Sequence, residues 1–169
     1  MNQNTFISLI NPVKDKMYRL ALRLLISKES AEDATQEVFL KLWNGNEKIK
    51  NYANLEAFAM TVTRNYCLDQ LKSKQNNNLK MVHNNYESHE PSIHDQLETT
   101  DELAQVSKIL ESLPEQQKII FQLRDIEQYE FEEIAEITKM NETAIRVALS
   151  RVRKKIREEL LKKHNYGIK

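Results

Sequence analysis

Six side chains near the C-terminus are well placed for chemistry with a charged partner: Thr143, Arg146, Ser150, Arg151, Arg153 and Lys154. A helix over 141–162, turning ~100° per residue, carries Ile145, Leu149, Val152 and Ile156 inward. Thr143, Arg146, Ser150, Arg153, Lys154 and Arg157 then face outward. Cations on such a stripe neutralise phosphates, and the earliest of them can reach base edges in a major groove. The competing reading is a basic helix that is only solvated. Against it stands what comes before: an amphipathic segment with Phe131, Ile134, Ala135 and Ile137, a polar break at Thr138-Lys139-Met140, and a capping residue at Asn141. Two short helices with the cations on the second form the pattern of a helix-turn-helix.

Two more sets of residues invite the same question. Asp33, Gln36 and Glu37 share one face of an expected helix, and Phe39 and Trp43 flank them. Aromatics beside a polar stripe suit a protein-binding surface; equally, the face is solvated and the two rings are core. Further on, Lys48, Lys50, Tyr52, Phe58, Arg64, Asn65, Tyr66, Lys72 and Lys74 interleave cations with rings. Single-stranded nucleic acid needs cations for its phosphates and flat faces for its unstacked bases; an ordinary amphipathic helix with Phe58 and Tyr66 buried gives the same pattern. His83, His89 and His94 lack metal-ligand spacing. The sequence holds no phosphate-cradling glycine loop and no nucleophile–base set, so neither catalysis nor a metal or cofactor is expected.

The chain that must position these groups has 169 residues, 40% hydrophobic and 30% charged, with two glycines and three prolines. So few chain breakers favour long helices over a turn-rich sheet fold. The zero net charge conceals polarity: residues 98–142 carry a net −8 and residues 143–163 a net +6. Such a chain presents one face to phosphates and another elsewhere. One cysteine, Cys67, rules out an intrachain disulfide and fits a reducing compartment. No apolar run approaches ~18 residues and no leader is evident, so a cytoplasmic protein without membrane insertion is expected.

Helical periodicity predicts an all-α fold of two small domains. Asn11-Pro12 reads as a helix start, with Val13, Met17, Leu20, Ala21 and Leu24 inward. Ser30 opens a second helix with Ala31, Ala34, Thr35, Val38 and Leu42 inward, which stops at Asn44-Gly45. Residues 44–53 read as a loop, and Asn54 caps a helix over about 55–72. The period then fails in an asparagine-rich stretch, which places a flexible linker over 75–99 between domains at 1–74 and 100–169. Beyond it come helices over about 100–112, from Pro114, and the helix-turn-helix.

These motifs resemble the sigma-70 family of bacterial transcription initiation factors, in its small extracytoplasmic-function (ECF) branch. Ser30–Trp43 (SAEDATQEVFLKLW) resembles the family's polymerase-binding helix. Asn54–Lys72 resembles the helix that engages the −10 promoter element, with Phe58, Arg64-Asn65 and Asp69 at matching places. Leu110–Arg157, through Leu113-Pro114, Gln116, Leu123-Arg124 and Glu133-Ile134-Ala135, resembles the region that reads the −35 element. The family carries glycine where Lys139 stands and Ser or Thr where Glu130 stands.

The resemblance implies a promoter-specificity subunit of RNA polymerase that makes no phosphodiester bond itself. It assigns core-polymerase binding to Asp33, Gln36, Glu37, Phe39 and Trp43. Unpaired −10 bases fall to Lys50, Tyr52, Asn54, Phe58, Arg64 and Asn65, and the −35 duplex to Thr143, Arg146, Ser150, Arg151, Arg153 and Lys154. It also implies an anti-sigma partner. Two rivals remain from the residues alone: a self-sufficient regulator that binds closed operators as a dimer, and an adaptor that sequesters polymerase without touching DNA. The stripe from Asp33 to Trp43 weighs against the first, the basic helix against the second.

Overall fold

The computed structural model describes residues 2–49, 52–80 and 101–167 and is all-helical, with no strand among them. The first half holds α1 (Gln3–Leu25), α2 (Lys28–Asn44), a single turn α3 (Asn46–Ile49) and α4 (Leu55–Lys80). The second half holds α5 (Asp101–Glu111), α6 (Glu115–Phe121), which widens into a π-helical turn (Gln122–Ile126), then α7 (Phe131–Thr138) and α8 (Glu142–Gly167).

Apolar spacing locates the inward faces correctly. Val13, Met17, Leu20, Ala21 and Leu24 on α1, Ala31, Ala34, Thr35, Val38 and Leu42 on α2, and Ile145, Leu149 and Val152 on α8 are all buried. Burying each large aliphatic chain contributes ~1.5–3 kcal/mol, which makes such stripes the main determinant of packing. Leu103 and Ile126, apolar residues at helical spacing in the second half, stand exposed.

Helix starts depart from the sequence expectation at α1 and α2. Helix α1 begins at Gln3, capped by Asn2, whose Oδ1 accepts from the Thr5 amide at 2.8 Å, and Pro12 lies inside it. An interior proline costs a helical hydrogen bond, but Phe6 and Ile10 are fully buried upstream of it, and their packing outweighs the break. Helix α2 is capped by Ser27, not opened by Ser30; the Ser30 amide donates to the Ser27 hydroxyl at 3.2 Å. The expected loop at 44–53 contains α3, whose Ile49 is buried.

Asn54 does cap α4, accepting from the Ala57 amide at 3.0 Å, but the helix runs to Lys80. Residues 75–80, expected in the linker, are therefore helical: asparagine is a weak helix former but breaks no backbone bond. The remainder of the expected linker, with His83, His89 and His94, lies outside the described residues.

The two halves share one hydrophobic core. Met17, Leu20 and Leu24 of α1 and Met60 of α4 join Ile119, Ile120 and Leu123 of the second half and Ile134 and Ile137 of α7 in one buried cluster. Helix α1 packs on α2, α4 and α6, and α4 packs on α7. A smaller cluster of Leu110, Leu113, Phe121 and Val152 fixes α5 and α6 against α8.

Polar contacts stitch the same seam. Arg19 of α1 grips the Glu127 carboxylate with Nε at 2.5 Å and Nη2 at 2.8 Å. The Glu127 side chain is 1% exposed, so the guanidinium supplies the charge its burial requires. Arg23 donates to Gln122 at 3.1 Å. Glu56 of α4 accepts from Lys16 at 2.6 Å and from the Tyr129 hydroxyl at 2.7 Å. Burial pushes the Glu56 carboxyl up, but the hydrogen bonds from Lys16 and Tyr129 outweigh it and hold its pKa below the ordinary value.

Candidate nucleic-acid interface

The basic helix follows from local rules. Asn141 caps α8 through a 2.7 Å bond from the Ala144 amide to its Oδ1. The turn before it needs a left-handed residue, and Lys139 takes it, with φ 61°. That is the position where a glycine would be unstrained. Glu130, at the head of α7, makes no side-chain cap bond, as its long side chain suggests.

Thr143, Arg146, Ser150, Arg151, Arg153 and Lys154 are all exposed. They differ in what holds them. Arg153 is clamped by Asp125 of the π turn, with Nη2 at 2.5 Å and Nε at 3.1 Å. That hydrogen bond raises its pKa, and its charge is already matched by a neighbour. Lys154 meets Glu158 at 4.0 Å, with its side chain 73% exposed. Arg146 leans over the Phe131 ring at 4.7 Å, and Arg124 of the π turn lies over the same ring at 4.5 Å. The sequence marks Arg124 only as part of the Leu123-Arg124 motif, not among the duplex-facing cations, because its company in the chain is acidic.

The second surface lies at the start of α4. Tyr52, about half exposed, stacks on Phe58 with ring centroids 4.1 Å apart and planes 13° from parallel. Phe58 and Asn65, seven residues apart on a helix, share a stripe, and Asn65 is exposed. Arg64 is half-buried and donates to Asn65 Oδ1 at 2.9 Å. Its Nε is buried without a partner, and burial lowers its pKa. Asn54 also donates to Glu133 of α7 at 3.4 Å, so part of this surface abuts the second half. Lys50 lies outside the described residues.

The third set divides as its two readings divided. Asp33, Gln36 and Glu37 are exposed along α2, with Leu40 beside them. Phe39 and Trp43 are half-buried and pack on Phe6 of α1, with ring centroids 5.2 and 5.1 Å apart. Tyr66, missed as a neighbour of this stripe, sits close enough that the Glu37 and Asp33 charges add to burial in raising its pKa. Lys41 covers its ring at 4.9 Å.

Comparison with known proteins decides the family. Residues 9–77 match the model of sigma-70 region 2, and residues 103–156 match that of sigma-70 region 4. The chain belongs to the sigma-70 family. A protein described as the ECF RNA polymerase sigma factor SigE of Mycolicibacterium smegmatis is 26% identical over 91% of this chain and 61% of its own length. The RNA polymerase sigma factor SigV of Bacillus subtilis is 28% identical over 92% of this chain and 91% of its own length. A probable RNA polymerase sigma factor, RfaY of Xanthomonas campestris, is 24% identical over 95% of this chain but only 42% of its own length. The chain thus spans about two-fifths to three-fifths of two of these relatives and nearly all of the third.

Among solved structures, the sigma factor RpoE of Bartonella quintana, in complex with the anti-sigma factor NepR, superposes with a TM-score of 0.77. It is 23% identical, with 92% of this chain and 96% of that one covered. CnrH, in complex with the cytosolic domain of CnrY, gives 0.72 at 18% identity, covering 94% and 89%. Both establish the fold. The region 2 match precedes the region 4 match, the order in which the −10-like and −35-like motifs stand in the sequence. The family comprises non-enzymatic initiation factors. No helix among the described residues is long and apolar enough to cross a membrane.

Proposed function

We propose that this chain is an ECF sigma factor that binds core RNA polymerase in the cytoplasm and directs promoter-specific initiation. Region 2 reads unpaired −10 bases, region 4 reads the −35 duplex, and an anti-sigma factor restrains the protein. The observation that carries this reading is the pairing of two unlike surfaces on one chain. One is a stacked-ring platform beside Arg64 and Asn65, suited to unstacked bases. The other is an exposed cationic helix of helix-turn-helix geometry, suited to duplex.

Asp33, Gln36 and Glu37 supply the exposed part of the polymerase surface, while Phe39 and Trp43 act mainly by fixing α2 on α1. On the −10 side, Tyr52 and Phe58 offer the flat faces, Asn65 and Asn54 the polar contacts, and Lys50 and Arg64 the charge. On the −35 side, Arg146 reads bases, with Thr143 and Ser150 beside it. Arg151 and Lys154 meet phosphates, and Arg153, held by Asp125, contributes less.

The closed seam supports a requirement for polymerase. A compact chain of this length has a radius of gyration of about 15 Å, or roughly 40 Å across as a sphere. Promoter elements about 17 base pairs apart lie ~58 Å apart at ~3.4 Å per pair. Both surfaces therefore reach their targets only after regions 2 and 4 part, and polymerase supplies the binding energy and the spacing. Run-off transcription with purified core polymerase and a genomic promoter library tests the proposal. Specific transcripts that depend on the chain are the expected result; none above core polymerase alone would refute it.

A further inference from the structure

Two guanidinium groups converge on one ring. Arg124 comes from the π turn and Arg146 from the first turns of α8, and both lie over Phe131, the first residue of α7, at 4.5 and 4.7 Å. Bringing two cations to one ring without a strong counter-ion is unfavourable by itself. Glu130 pairs with Arg124 only loosely, at 3.9 Å and with a side chain 77% exposed. Three features offset the repulsion. The ring's negative face attracts each cation. A hydrogen bond from Arg124 Nη1 to the Tyr129 carbonyl, at 2.8 Å, fixes one of them. Phe131 itself packs against the core, so its ring is anchored.

We infer that Phe131 is a positioning residue for −35 recognition: its ring holds Arg146 and Arg124 together as a preformed pair of cations for promoter duplex. An arginine free to wander loses rotamer entropy when it meets a base or phosphate, and one already stacked loses less. Each cation's repulsion for the other is relieved when an anionic backbone arrives, so the pair binds DNA better than two separated arginines. Arg124 thereby joins the duplex-facing set. The π turn has a role in this arrangement, because it brings Arg124 within reach of the ring that Arg146 covers. The inference rests on the reading of Arg146 as a −35 contact.

The test uses the full chain assembled with core polymerase and, as probe, the duplex of the strongest promoter recovered from the run-off library. Affinity is measured for the parent, Phe131→Leu, Phe131→Tyr, Arg146→Ala and the Phe131→Leu/Arg146→Ala double variant. Phe131→Leu keeps an apolar side chain and removes the ring; Phe131→Met, a flexible filler, replaces it if Leu impairs folding. Loss of the ring should weaken binding about three- to tenfold, while Phe131→Tyr retains near-parental affinity. In the Arg146→Ala background, loss of the ring should cost distinctly less than in the parent. If Arg146→Ala itself has no effect, the underlying reading of Arg146 fails. If Arg146→Ala weakens binding while loss of the ring is silent, or the two losses simply add, the positioning role of Phe131 is overturned.

Discussion

The two DNA-facing surfaces proposed for this sigma-70 family chain differ in how the closed fold treats them. The α8 cations Arg146, Arg151, Arg153 and Lys154 stand exposed. The platform on α4 is tied at its head to region 4 through Asn54 and Glu133, and Glu56 two residues on is tied to Tyr129. A helix that reads duplex can stay open in the free protein, because closed duplex is its target at every stage. A surface that reads unpaired bases has no target until the duplex melts, and the fold leaves it leaning on its neighbour.

Breaking the seam should change that comparison most. Arg19→Glu places a carboxylate against the buried Glu127, an effect on the order of 3 kcal/mol for an uncompensated buried charge. Arg19 is half exposed, so the substitution spares the interior of region 2. The isolated variant should show a larger hydrodynamic radius in scattering and tighter binding of single-stranded −10 oligonucleotides. An expanded variant with parental single-strand affinity would mean that the seam does not limit access.

Next in size are the cations of α8. Arg146→Ala should cost ~1–3 kcal/mol on the preferred −35 duplex and relax sequence preference. Lys154→Ala should weaken all duplexes alike and reduce the slope of affinity against salt. Arg153→Ala should do less than Lys154→Ala, because Asp125 already holds Arg153. Competitive binding at two salt concentrations separates the three.

The polymerase stripe gives a contrast of another kind. Ala at Asp33 and Gln36 should weaken capture of core polymerase while shifting stability by under ~0.5 kcal/mol, since both are exposed. Trp43→Ala should lower the melting temperature, because its ring packs on Phe6. Equal melting losses for the two variants would contradict this division.

A smaller effect concerns the turn. Lys139→Gly removes left-handed strain worth ~1–2 kcal/mol and adds back chain entropy of ~0.5–1 kcal/mol. The net should be a slight rise in melting temperature with unchanged DNA binding.

Much of this was legible in the sequence because burial is periodic. The inward faces of α1, α2 and α8 follow from apolar spacing, and the caps at Asn54 and Asn141 from residue type next to it. The start of α1 was not legible, because Pro12 is a strong local signal that the tertiary burial of Phe6 and Ile10 overrides. The length of α4 was hidden by asparagines that weaken a helix without ending it. For the sites, exposure of Asp33, Gln36, Glu37 and the α8 cations followed from the stripe. The grip of Asp125 on Arg153, the ring shared by Arg124 and Arg146, and the Arg19–Glu127 clasp did not. Each joins residues from separate elements, and no spacing along the chain encodes such a meeting.

Permanganate footprinting of promoter DNA tests the central claim most directly, because it reads unpaired thymines. The chain alone should leave the duplex closed, since opening costs ~1.4 kcal/mol of stacking per base-pair step and the −10 platform leans on region 4. With core polymerase added, reactive thymines should appear near the start site, and Arg64→Ala with Asn65→Ala should diminish them while −35 protection persists. Nanomolar, sequence-specific binding to closed duplex by the chain alone, with no thymine exposed when polymerase is added, would contradict the account.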